Sequence, residues 1–117
     1  MPFDLARTHH DFEKRPDGGV QTVTANDPSD SMQVRLIREH LAREAARFSR
    51  GDFADPMAIH GHAMPGVAEL RAGAGRIRVE AAEIAGGGRI RYTTAEPALL
   101  AALHRWFDAQ VIDHGSN

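Results

Sequence analysis

The chain has 117 residues, 42% of them hydrophobic and 26% charged, with a formal net charge of -2 at neutral pH. That length suits one hydrophobic core, so a single domain over residues 1–117 is expected. The charge argues against a nucleic-acid binder, no apolar run is long enough to span a bilayer, and the lack of cysteine excludes disulfides, thiolate nucleophiles and cysteine-ligated metals.

The start, MPFDLARTHH, has neither the basic segment nor the apolar stretch of a secretory signal. A cytoplasmic protein is expected, with an exported mature form as the alternative. The first organised unit is a hairpin. In THHDFEKRPDGGVQTVTAND, a Pro16-Asp17-Gly18-Gly19 turn separates strands at about residues 8–15 and 19–25, with a glycine expected in the left-handed position. Over NDPSDSMQVRLIREHLAREAARFSRGDF the period becomes helical. Val34, Ile37, Leu41, Ala45 and Phe48 recur on one face, while Arg35, Arg38, Glu39, Arg43 and Arg47 fall away from it. Asp27, Ser29 or Asp30 caps the start and Gly51 ends the helix. Met32 and Leu36 lie opposite the main stripe and predict a second apolar patch, covered by more of the chain or by another subunit. A homo-oligomer is therefore expected.

DFADPMAIHGHAMPGVAELRAGAG is broken by Pro56, Gly61 and Pro65. Pro65 suits the first turn of a short helix running to about Arg71, closed by Gly73 and Gly75. A second hairpin follows. Ile77, Val79 and Ala81 alternate with Arg76, Arg78 and Glu80; Gly86, Gly87 and Gly88 turn the chain; Ile90, Tyr92 and Thr94 alternate with Arg89 and Arg91. The last helix opens at Pro97, with Leu99, Leu100, Leu103, Phe107 and Val111 on one side. GGVQTVTANDP and GGRIRYTTAEP stand at corresponding places in the two halves, which suggests a strand-strand-helix repeat. The expected fold class is α+β: a four-stranded antiparallel sheet from two hairpins, with helices packed on one face.

Seven histidines carry the first candidate chemistry. In AIHGHAMPG the spacing puts His60 and His62 on one side of an extended segment, with the Met64 thioether on the same side. Imidazole with a thioether favours copper, and imidazole with carboxylate favours zinc, iron or nickel. His104, one turn before Asp108, or His40 supplies a further ligand. The expected metal set is His60, His62, Met64 and His104, with copper or zinc as the ion. The competing reading has the two histidines bonding loop carbonyls and Met64 plugging the core. His9 and His10 point to opposite faces of the first strand and read as surface residues.

Arg76, Arg78, Arg89 and Arg91 are the second constellation, expected on one face of the second hairpin, where they repel one another or cradle an anion such as a phosphate or carboxylate. Glu80, Glu83 or another subunit would compensate them in a purely structural reading. No aromatic interleaves with them, which argues against nucleic acid. AGAGRI precedes a strand instead of following one, so it is not a phosphate-binding loop, and no serine stands in a nucleophile elbow.

MPFDL with a following histidine, DGGVQ, LIREHL, GDFADP, IHG with MPG, YTT, and LHRWFDAQ with DHG together resemble a family of small bacterial proteins of unknown function, often labelled aspartate carbamoyltransferase. The likeness covers nearly the whole chain. True carbamoyltransferases are far longer, have two α/β domains and bind carbamoyl phosphate through a Ser-Thr-Arg-Thr loop that this chain lacks, so that activity is not expected. The resemblance supplies no catalytic residues, and its exported relatives imply export as the alternative location. The chain reads as a non-catalytic binding module holding a transition metal; the alternative is an anion-binding enzyme or sensor that uses the arginine face and a histidine. Neither a membrane nor a nucleic-acid partner is expected.

Overall fold

The computed structural model describes residues 7–51 and 66–114. Two tight turns build the sheet. Strand β1 (Thr8–Arg15) reverses through Pro16 and Asp17 into β2 (Gly18–Ala25), and β3 (Arg78–Ile84) reverses through Ala85 and Gly86 into β4 (Gly87–Thr93). Proline presets φ in the first turn, and Gly86 takes the left-handed conformation, φ 77°, in the second. The strands form one antiparallel sheet in the order β1-β2-β4-β3.

The long helix α1 (Ser31–Ser49) begins at Asp30, whose side chain accepts from the Gln33 N–H at 3.3 Å. Asp27 instead bonds the N–H and hydroxyl of Ser29 at 3.0 and 2.7 Å, which lowers its carboxyl pKa. Gly51, at φ 82°, closes the helix by donating to the Phe48 carbonyl. Val34, Ile37, Leu41, Ala45 and Phe48 are its buried residues, as the periodicity predicts. The expected second patch shrinks to Met32, 54% exposed, because Leu36 flanks the stripe and packs onto the core.

A short helix, α2 (Val67–Ala72), starts at Gly66 and ends at Gly73. A Cβ on Gly66 would lie 2.2 Å from the Ala102 carbonyl oxygen, so only glycine lets α2 approach its neighbour. The last helix, α3 (Pro97–His114), buries Leu99, Ala102, Leu103, Trp106 and Phe107. Leu100 lies at the margin of that stripe and is only half-buried, and Val111 falls outside the described side chains. Every aromatic among the described residues joins one cluster. Phe12, Tyr92 and Trp106 meet Phe107 at ring-centre distances of 5.5, 5.5 and 6.1 Å, and Phe48 meets Trp106 at 5.5 Å.

Both long helices pack on the same face of the sheet, each mainly over the other half's hairpin: α1 over β3 and β4, α3 over β1 and β2. The expected repeat is legible in the details. Gln21 of β2 pairs with Ile90 of β4, the same position in the two halves, so an approximate two-fold axis passes between them. A Cβ on Gly18 would fall 1.8 Å from the Tyr92 carbonyl oxygen, and one on Gly87 would fall 2.0 Å from that of Val23. Side chains at Gly19 and Gly88 would strike Phe107 of α3 and Leu41 of α1 respectively. Each glycine pair lets one strand pass close to its neighbour and one helix settle onto the sheet.

Candidate functional site

The symmetry explains one predicted ligand. His104 of α3 uses Nε2 to donate to the carbonyl oxygens of Arg15 and Gly18, at 3.0 and 2.8 Å, the residues flanking the first turn. Arg38 of α1 does the same at the second turn, donating to Gly87 and Ile84 at 2.9 and 2.8 Å. A donor from each helix thus clamps the turn of the hairpin it covers. With both acceptors on Nε2, that nitrogen carries the proton, and only Nδ1 keeps a lone pair. Asp108, one turn further along α3, pairs with Lys14 at 2.9 Å. His60, His62 and Met64 lie outside the described residues, as does Pro65. Among the described residues no three histidine or acidic side chains gather as a metal site. His10 is 5% exposed and within 3.4 Å of the Thr8 hydroxyl, so it is a core residue and not the surface residue expected.

A second polar group escapes a reading by residue type. His40 Nε2 lies 3.3 Å from Glu44 Oε1, one turn further along α1, with the two side chains 12% and 14% exposed. The other Glu44 oxygen is buried without a hydrogen-bond partner. Tyr92, fully buried beneath, donates its hydroxyl to Gln21 Oε1 at 3.1 Å. Burial pushes the Tyr92 phenol well above its usual 10.0, and the Glu44 charge pushes it the same way. The i, i+4 spacing of His40 and Glu44 was the only sequence signal for this group. Its burial suits it to fixing α1 on the sheet more than to acting on a solute.

The arginines occupy the opposite face. Ile90 and Tyr92 point into the core, so Arg89 and Arg91, alternating with them, point away from the helices, and Arg78 joins them from β3. Arg76 does not. It sits in a 3-10 turn (Ala74–Arg76), because its carbonyl accepts from the Thr94 hydroxyl at 3.0 Å and its guanidinium reaches Glu96 at 3.4 Å. The expected repulsion is also absent, since register places Glu80 opposite Arg91, Ala82 opposite Arg89 and Thr93 opposite Arg78.

Three of the four arginines line one cleft at the start of β3. Asp17, Ser49, Arg76, Arg78, Glu80 and Arg91 line an open cleft of about 990 Å³, and Arg89 lies beyond it. Arg76 and Arg91 are held only by exposed pairs, to Glu96 at 3.4 Å and Asp17 at 3.7 Å. Such pairs stabilise by about 0–1 kcal/mol and open readily. Arg78 makes no ion pair with any described residue. The cleft therefore offers one free and two loosely held planar donors, which suit a carboxylate or phosphate. Comparison with models of known families, with curated proteins and with solved structures finds no match to this chain.

Proposed function

We propose that this protein is a non-catalytic binding module for a small anionic ligand, held in the cleft between the start of β3 and the end of β4. The observation that carries this reading is Arg78, an arginine without an ion pair among the described residues, lining the same cleft as Arg76 and Arg91, whose acidic partners are exposed and replaceable. A ligand with two or three oxygens would take over from Asp17 and Glu96, and Ser49 adds a hydroxyl at the rim. The cleft is open and its own carboxylates compete, so affinity on the order of 0.1–1 mM is expected for simple anions. Carbamoyl transfer forms no part of this reading, because the chain has no Ser-Thr-Arg-Thr loop.

Thermal unfolding with inorganic phosphate, pyrophosphate and citrate tests it. A ligand that binds only the folded state raises the melting temperature with concentration. The wild type should respond to at least one of these anions beyond the response to chloride at equal ionic strength, and Arg78→Ala with Arg91→Ala should abolish that response. Equal responses in the wild type and the double variant would contradict the assignment.

A further inference from the structure

The face of the sheet turned away from the helices has no described element over it. Register gives its rows: Asp11, Thr22, Arg89 and Ala82 form one, and Glu13, Val20, Arg91 and Glu80 the next. Charge divides across the strands. The β1 edge carries Asp11 and Glu13, the latter paired with Arg15 at 3.0 Å, the β4 and β3 half carries Arg89, Arg91 and Arg78 against Glu80, and between them Val20, Thr22 and Thr24 of β2 form an uncharged, half-buried strip. Asp11 and Arg89 share a row but stand two strands apart, about 10 Å at ordinary strand spacing. Neither forms an ion pair with a described residue.

We infer that a second copy of this chain packs on this face. A two-fold axis in the interface can run along the strands or across them. Across, it sets β1 on β1 and stacks acid on acid. Along the strands and over β2, it sets β2 on β2 and lays β1 of each copy over β4 of the other, so that Asp11 of each meets Arg89 of its partner in the same row, twice over. Three strands of about seven residues give a footprint of roughly 330 Å² per copy, so the pair buries on the order of 700 Å², the range of weak and transient contacts. The result is a weak, salt-sensitive dimer. This inference does not rest on the anion reading, since Arg89 lies outside the cleft and the test below uses no added anion.

Sedimentation equilibrium of the wild type from about 1 to 500 µM should show reversible dimerisation that weakens as salt rises. Asp11→Arg and Arg89→Asp should each raise the dissociation constant by about a hundredfold, because each sets like charges together at both copies of the contact. An equimolar mixture of the two variants should regain a dimer, since every introduced charge then faces its opposite; a variant that had merely misfolded would not. A wild type that stays monomeric throughout, a dimer that both variants retain, or a mixture of folded variants that stays monomeric would overturn the inference.

Discussion

His104 offers one nitrogen to two carbonyl oxygens, a use of imidazole that needs a proton on Nε2. His104→Ala leaves two acceptors unserved, that of Gly18 in a part-buried bond and that of Arg15 in an exposed one, and should cost about 1–2 kcal/mol in denaturant unfolding. His104→Arg should restore most of that, because Arg38 fills the equivalent place at the other turn; equal loss in both variants would contradict the clamp. Tyr92 makes a prediction about pH. Its phenol is held neutral in the folded state, with a pKa above the unfolded value near 10.0, so its contribution is complete below pH 10 and falls as pH rises beyond it. The slope is about 1.4 kcal/mol per pH unit, and Tyr92→Phe should flatten this limb of the stability profile. Sequence placed both His104 and Tyr92 on their elements. It could not say what faced them, because the partners are main-chain carbonyls and a glutamine from strands far along the chain.

At the scale of elements, hydrophobic period was a good guide wherever the core sets the face of a segment. The α1 stripe is buried residue for residue, and β1 runs where alternation puts it. Reading failed where a local hydrogen bond outweighs alternation. Arg76 continues the strand pattern on paper, yet the Thr94 hydroxyl holds its carbonyl in a turn. The glycines were misread in a related way. Gly87 and Gly88 look like part of a long turn, but the turn is only Ala85 and Gly86, and the next two glycines are strand residues kept bare by what passes over them. Gly87→Ala should therefore destabilise strongly, by more than about 2 kcal/mol, because the obstructing atom belongs to backbone. Gly75→Ala, whose Cβ meets nothing within 4 Å, should be close to neutral, and comparable losses in the two would contradict this account.

At the scale of the whole molecule, the α+β sheet with helices on one face was legible in advance, because two hairpins and two apolar helices of this length have few other ways to bury their stripes. The site was legible only in part. Arginine alternation showed that Arg78, Arg89 and Arg91 share a face, but which of them converge depends on how the chain reaches β3 from α2, a matter of tertiary path and not of spacing. No helix among the described residues is long and apolar enough to cross a membrane. Titrating isotopically labelled protein with whichever of phosphate, pyrophosphate and citrate raises the melting temperature most, followed by backbone amide shifts, reads the central claim most directly. Saturable shifts confined to residues 75–80, 91–95 and the neighbourhood of Asp17 and Ser49 are predicted, and they should vanish in Arg78→Ala. Shifts that fail to saturate or that centre on another surface would contradict the claim.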